Sequence, residues 1–455
     1  MPALIALSPG FLPSQETTAI SDAEVQRDFQ VAMAAQDRGD LDGAEALLMR
    51  LHTAHPGIFA IDESLGLLLA SRGDKYGALR LLEAGAREEP SSDVAHANLG
   101  AAFYQLNQSQ SAIVEFQRAV QINPNNVSSQ ESLGRLWMDD RRPDKAADAL
   151  LAAVRLKPDD QDMMLDCVTT LLQANRLDEA QKMLSSFGNA DRSARAQSLL
   201  GELNERKGSF QSAAESYARA AELDPSEQNA WQLGFEYLRH WTFNAAAAEF
   251  QVASGKFPES ERLRLGLGVA LYGEAQYVRA IPVFANLLND EPGDALYAEL
   301  LGMSCDAPLP ARVPQCATLV EYAGAHPADA KAATYAASWL LKYEDTAEHL
   351  VLARNLIEHV LAANPNLPEA QFQMGRILQY GKDWAGSIPF LERAVKLKPD
   401  YAEAHYHLAL AYWRTGRKRD GDAQMELQKK FARQEQEDLD QHLRQITTFT
   451  IGAHP

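Results

Sequence analysis

A proline recurs every 34 residues along much of this chain, and no single globular core requires such an interval. Pro56, Pro90, Pro124 and Pro158 stand one period apart; Pro225, Pro258 and Pro292 resume the series, Pro327 and Pro365 shift it slightly, and Pro399 restores it. Pro225 follows Pro158 at a spacing of 67, two periods less one, so one copy lacks its proline. A fixed period of about 20–50 residues marks an array of supersecondary units, each of which buries its apolar face only against its neighbours.

The same chemistry recurs inside each period. Ahead of Pro124, Leu99-Gly100 is followed by Phe103, Ala112, Phe116 and Ala119; ahead of Pro158, Leu133-Gly134 is followed by Trp137, Ala146, Leu150 and Ala153. Later copies read Leu200-Gly201, Ala213, Tyr217, Ala220; Leu233-Gly234, Tyr237, Ala246, Phe250, Ala253; Leu267-Gly268, Leu271, Ala280, Phe284, Leu287; and Met374-Gly375, Leu378, Ser387, Leu391, Ala394. Residues three and four apart share one face of a helix, so each period predicts two helices packed through one apolar stripe apiece. The small pair Gly100 and Ala112 is expected where the two helices cross. The proline then ends the second helix, and Asp93, Ser226, Asp294 and Asp329 are placed as N-caps of the helices that follow.

These residues, held in register over many copies, resemble the tetratricopeptide repeat, and the closing stretch Pro399 to Phe431 is closer to bacterial arrays than to eukaryotic ones. The resemblance implies an all-α fold: a right-handed superhelical α-solenoid of about twelve helix-turn-helix repeats, closed by a C-terminal capping helix. The expected organisation is a leader over 1–24, repeats one to five over 25–193, six to eight over 194–294, irregular repeats nine and ten over 295–367, eleven and twelve over 368–435, and a capping helix with tail over 436–455. The leader carries a short apolar patch, Ala3 to Leu7, with no Lys or Arg before it, and reads either as a flexible segment or as the remnant of a signal peptide.

Three copies break the pattern. The copy from 161 has Cys167-Val168 in place of Leu-Gly and ends in Phe187-Gly188-Asn189 without a proline. The copy from 330 predicts a longer inter-helix loop around Glu344 to His349, and the copy from 295 has Pro308, Pro310 and Pro314 between Cys305 and Cys316. Antiparallel helices bring Cys305 and Cys316 near each other, which predicts a disulfide and an oxidising, periplasmic or exported setting; two half-buried thiols in a cytoplasmic protein are the other reading. Cys167 takes a core slot.

The composition excludes whole classes of function. Against 62 acidic residues stand 43 basic ones, a net charge of −19, so no broad basic face is available for nucleic acid. Arg414, Arg417, Lys418, Arg419, Lys429, Lys430 and Arg433 cluster near the C-terminus and read as a solvated surface. No apolar run is long enough for a transmembrane helix. Neither a phosphate-binding glycine loop, a CxxC pair nor HExxH occurs, so no catalytic residue, cofactor or metal site is assigned. His405 and His407, two apart on a helix, point to opposite sides and read as surface residues, not co-ligands.

What remains is a surface. The resemblance implies that partners bind the concave face lined by the first helix of each repeat, and the positions expected there are Trp231, Phe235, Arg239, Tyr272, Phe372, Arg376, Tyr406, Trp413, Asn98 and Tyr104. Aromatic residues and Arg are enriched at interface hot spots, and Trp231, Phe235 and Arg239 rise along one stripe in steps of four; Trp231 and Phe235 read equally as packing between repeats. The clamp of Lys, Asn and Arg with which some related co-chaperones hold a C-terminal carboxylate is absent, as is the Asn ladder of sugar-transferring relatives. The expected function is a non-catalytic scaffold or adaptor that binds an extended peptide or partner helix in the groove. The alternative is an accessory subunit of an envelope export or polysaccharide machine that binds substrate or glycan there, and self-association stays open.

Overall fold

The computed structural model describes residues 22–343 and 346–445. The expected leader, up to residue 21, and the tail from 446 lie outside the described residues. Every regular element described is helical. Two compact units meet in sequence at Lys207 and Gly208.

In the first unit, α1 (Ala23–Asp37) pairs with α2 (Leu41–Ala54), α3 (Phe59–Ser71) with α4 (Lys75–Glu88), and α5 (Asp93–Gln105) with α6 (Ser109–Ile122). Then α7 (Val127–Asp139) pairs with α8 (Pro143–Leu156) and α9 (Gln161–Gln173) with α10 (Leu177–Ser186), and α11 (Ala194–Arg206) follows. The second unit opens with α12 (Phe210–Leu223). It continues as the pairs α13 (Glu227–Arg239) with α14 (Phe243–Lys256), α15 (Glu261–Gly273) with α16 (Tyr277–Asp290), and α17 (Ala295–Asp306) with α18 (Ala317–Ala325). The last pairs are α19 (Ala330–Tyr343) with α20 (Ala347–Ala363), α21 (Pro368–Tyr380) with α22 (Trp384–Leu397), and α23 (Ala402–Arg414) with α24 (Lys418–Gln445).

The prolines do what their chemistry dictates. Pro90, Pro124, Pro225, Pro292 and Pro399 each stand two residues past the end of a second helix. There the missing N–H and the steric restriction on the preceding residue stop the helix. Within a pair, the turn between helices passes through one left-handed residue: Gly39, Gly73, Asn107, Arg141, Asn175, Trp241, Ala275, Lys382 and Gly416 all have φ between 56° and 90°.

The glycine of each period is explained by a partner sixteen residues on. A Cβ added at Gly134 would stand 2.5 Å from Leu150, at Gly268 2.5 Å from the Phe284 ring, and at Gly375 2.6 Å from Leu391. Gly100 likewise faces Phe116, at 3.1 Å; Ala112, although fully buried, is not its nearest neighbour. Phe250 is enclosed most tightly. A Cβ on Gly266 of the next pair would lie 2.6 Å from its ring, and one on Gly234 of its own pair would lie closer still.

Four expectations need correction. Ser226, Asp294 and Asp329 cap their helices, accepting from the N–H of Asn229 (3.4 Å), Leu296 (2.7 Å) and Ala332 (3.0 Å). Asp93 does not. Ser92 caps α5, accepting from Ala95 N–H at 3.2 Å, and the Asp93 carboxylate instead accepts from the side-chain amides of Asn123 (2.9 Å) and Asn126 (2.8 Å). No separate capping helix begins at 436, because α24 runs unbroken to Gln445 through a stretch of good helix formers free of Gly and Pro. Of the loop expected around Glu344 to His349, residues 344 and 345 lie outside the described residues, and the insertion in the copy from 330 does not carry the loop to His349, since α20 begins at Ala347. It lengthens the helices instead, to 14 residues for α19 and 17 for α20, whose N-cap Thr346 accepts from His349 N–H at 3.2 Å. Finally, His405 and His407 are not surface residues. His405 is 4% exposed and bridges Gln424 (2.6 Å) and the Pro399 carbonyl (2.9 Å); His407 lies half-buried against Gln379 (2.7 Å), and burial, with Arg376 beside it, pushes it down to about 3.

Candidate functional site

Within each unit, first helices of successive pairs touch one another: α3 with α5 and α9 with α11, then α13 with α15, α17 with α19, α19 with α21, and α21 with α23. Of the second helices described, only α16 and α18 approach comparably.

Trp231, Phe235 and Arg239 occur in steps of four along α13. The Trp231 and Phe235 rings stack at 5.5 Å between centroids and 21° between planes. Arg239 lies over the Phe235 ring at 5.1 Å and Arg262, from α15, over Trp231 at 5.6 Å. The result is an alternation of cation, arene, arene and cation across two neighbouring helices, each cation–π contact worth about 0.5–1 kcal/mol when exposed. Phe235 is 40% exposed. Trp231 is half-buried, with its other side 5.7 Å from the Phe250 ring, so it serves the core and the surface together.

Arg262 is a member that the repeat pattern does not reveal, although it stands at the opening of the next period. Its Nε donates to Glu227 Oε1 at 2.6 Å and its NH2 to Gln228 Oε1 at 3.0 Å. This hydrogen bonding holds the Glu227 carboxyl down at about 2. Beside the pair opens a cavity of about 460 Å³ lined by Glu227, Ser260, Glu261, Arg262, Leu265 and Tyr297.

The other expected positions separate. Tyr104, Tyr406 and Trp413 are exposed at 41%, 42% and 38%. Trp413 faces the last helix, however, donating Nε1–H to Asp422 at 3.0 Å with Gly421 packed against its ring. Tyr272 is half-buried, its ring 5.3 Å from Tyr277, and burial raises its phenol. Three residues are not available to a partner. Phe372 is 1% exposed beneath Tyr401 (4.9 Å) and His407 (5.5 Å). Asn98 is 2% exposed and donates to Glu63 at 2.9 Å. Arg376 is 9% exposed; its NH1 donates to Ser338 Oγ (3.1 Å) and Gln373 (3.2 Å), and Ser338 Oγ in turn donates to Asp306 at 2.6 Å. These three tie successive first helices together from within.

The C-terminal basic residues are exposed, and several interact locally: Arg417 with Asp420 (2.7 Å), Lys429 with Glu426 (2.8 Å), and Arg414 over the Trp384 ring (5.3 Å). Cys305 and Cys316, both fully buried, are joined as a disulfide with Cα atoms 6.0 Å apart. Cys167 is fully buried, and burial pushes its thiol up to about 12.

An all-α succession of helix pairs, each packed on its neighbours, defines a repeat solenoid, a class that works by presenting surface. Models of the tetratricopeptide repeat match residues 77–127, 98–161, 138–203 and 194–227, and a TPR repeat model matches 375–416. The chain carries tetratricopeptide repeats over residues 77–227 and 375–416, and arrays of such repeats are protein-interaction scaffolds and typically non-catalytic. No curated protein sequence matches it. Among solved structures it resembles Naa15/Naa10 bound to HypK-THB at 14% identity, over 89% of this chain and 68% of that one, with a TM-score of 0.42. YrrB, described as a TPR protein with an unusual peptide-binding site, is 19% identical over 40% of this chain and 94% of its own, with a TM-score of 0.38. A tetratricopeptide repeat protein from Parabacteroides merdae is 16% identical over 55% and 100%, with a TM-score of 0.37. No helix among the described residues is long and apolar enough to cross a membrane.

Proposed function

We propose that this chain is a non-catalytic adaptor that holds an extended segment or helix of a protein partner on the face formed by α13 and α15. The observation that carries the reading is the Arg262–Trp231–Phe235–Arg239 alternation, which presents a 40%-exposed Phe between charged groups on that face. A large aromatic anchor flanked by guanidinium groups is the residue pattern of an interface hot spot.

Trp231→Ala is a poor test, because the same ring packs on Phe250 and its loss disturbs the core. Phe235→Ala combined with Arg239→Ala removes two members of the alternation; because Arg239 also lies 3.6 Å from the buried Glu236 carboxylate, the fold of the variant is checked first. Wild type and this double variant, matched in helicity by circular dichroism, are used in parallel to capture partners from native lysate. A protein retained by wild type and lost from the folded variant supports the reading. If the same set binds both, the α13–α15 face is not the site.

A further inference from the structure

The cavity beside the aromatic alternation has a chemistry of its own. Its floor is apolar, made by Leu265 of α15 and the ring of Tyr297 of α17, which is itself 3% exposed. Its rim carries two carboxylates, Glu227 and Glu261, and one guanidinium, Arg262. These charges are not equally engaged. Glu227 is held on both oxygens by Arg262, and Ser260 Oγ donates to it as well. Arg262 is spent on Glu227, Gln228 and the Trp231 face. Glu261 accepts the Tyr297 hydroxyl on Oε1, and its Oε2 has no partner among the described residues. The one uncompensated charge of the cavity is therefore a single carboxylate oxygen, standing at an exposed rim above an apolar floor.

The complement of such a site is a cation on an apolar stem. Lysine and arginine both have that form, but they differ in what they ask of a carboxylate. A guanidinium prefers two parallel hydrogen bonds, and one oxygen of Glu261 is already taken by the tyrosine; an ammonium is a point charge that one oxygen can satisfy. The N-terminal end of α15, equivalent to roughly half a positive charge, disfavours a cation, and the full negative charge of Glu261 exceeds it. The volume of about 460 Å³ accommodates a long side chain together with the backbone that carries it. We infer that the cavity between α13, α15 and α17 takes a lysine side chain of the partner polypeptide, its methylenes on Leu265 and Tyr297 and its ammonium on Glu261. The inference rests on the reading of the α13–α15 face as the partner surface, and it specifies a partner with a lysine adjacent to the residues that meet Phe235.

The test uses the full chain, labelled at leucine methyl groups, titrated with Nα-acetyl-lysine N-methylamide and followed at Leu265 by NMR. The norleucine counterpart lacks the ammonium, the arginine counterpart replaces it, and cadaverine supplies an ammonium without a peptide backbone. The expected result is saturable binding of the lysine probe, about tenfold weaker binding of the norleucine probe, and weaker binding of the arginine probe. Glu261→Gln, which keeps an acceptor for the Tyr297 hydroxyl, should weaken the lysine probe about tenfold. Equal binding of lysine and norleucine, an unchanged affinity in Glu261→Gln, or no movement of Leu265 up to the solubility of the probe would each overturn the proposal. Cadaverine binding more tightly than the blocked lysine would overturn the polypeptide source. The Phe235→Ala, Arg239→Ala variant separates the two readings, since it should lose the partner yet bind the lysine probe as wild type does.

Discussion

Between α13 and α16 the Phe250 ring fills a slot that two glycines leave open, one in its own pair and one in the next. Between α17 and α20 that arrangement is gone. Gly302 faces Tyr335 of the following first helix, 2.6 Å from where a Cβ would stand, and not a large residue of its own second helix. Ala337 and Ala353, sixteen apart, are both small. The left-handed turn that joins most pairs is missing between α17 and α18, where no residue from Ala307 to Cys316 has a positive φ. Other chemistry takes over. The Cys305–Cys316 disulfide links the end of α17 to the start of α18 across the proline loop. Lys342 donates to the carbonyls of Asp306 (2.7 Å) and Ala307 (2.6 Å), which the vanished turn would otherwise leave open to solvent. Ser338 connects Asp306 to Arg376, so three successive first helices share one polar chain. A repeat architecture thus survives loss of its small-against-large packing where covalent and polar ties replace it.

The comparison breaks most visibly at Phe250. Phe250→Ala empties a slot with no exposed surface and should cost about 3–5 kcal/mol. Gly234→Ala, which drives a methyl into the same ring, should cost about 1–3 kcal/mol. An array of neighbours need not unfold as one unit, so the loss is best read by hydrogen exchange in α13–α16 against α17–α20. If both regions lost protection equally, the claim that Phe250 acts locally would fail.

The reciprocal experiment is Cys305→Ala with Cys316→Ala. A loop closed over a separation of 11 residues restricts the unfolded chain by about 3 kcal/mol in the chain-entropy model. Protection should fall in α17 and α18 and hold in α13 to α16. Peptide mapping without reduction gives the complementary observation, two free thiols in native protein meaning that the tie is not made. Ser338→Ala should act on the same region more weakly, about 1–3 kcal/mol, by removing one of the partners of a buried guanidinium. A neutral result would show that the polar chain follows the packing and does not support it.

Much of the framework is legible in the period itself, because what it encodes is local. A proline stops a helix by its own covalent structure, and a glycine in register with a large residue sixteen positions on needs no knowledge of the rest of the array. Exposure on the first helices is different. Trp231 and Phe372 occupy the same slot, three residues ahead of Gly234 and Gly375, as Phe235 and Arg376 occupy the slot after. Yet Phe372 and Arg376 are buried while Phe235 is open. What differs is the next first helix, which brings Arg262 and Leu265 in one place and Tyr401 and His407 in the other. Slot can be read from one copy; burial depends on a neighbour about one period away, whose side chains the period does not constrain. The same applies to the cavity, assembled from the starts of three first helices.

The smallest effect concerns the turn that the regular pairs share. Ala275 has φ 57°, where an L-residue pays about 1–2 kcal/mol for its Cβ, and its side chain is exposed. Ala275→Gly removes that penalty and adds entropy to the unfolded chain, so the net expectation is a gain of about 0.5–1 kcal/mol. Gly39, at φ 79° with nothing within 4 Å of an added Cβ, is the mirror control: Gly39→Ala introduces the backbone penalty without a contact and should lose a similar amount. Opposite signs at the two positions would assign the cost to the left-handed backbone. Should Ala275→Gly lose stability instead, the alanine methyl would have to contribute through the unfolded chain or the helix start, and the turn of the regular pairs would not be a strained element. The proline loop of α17–α18 would then differ from it in composition only.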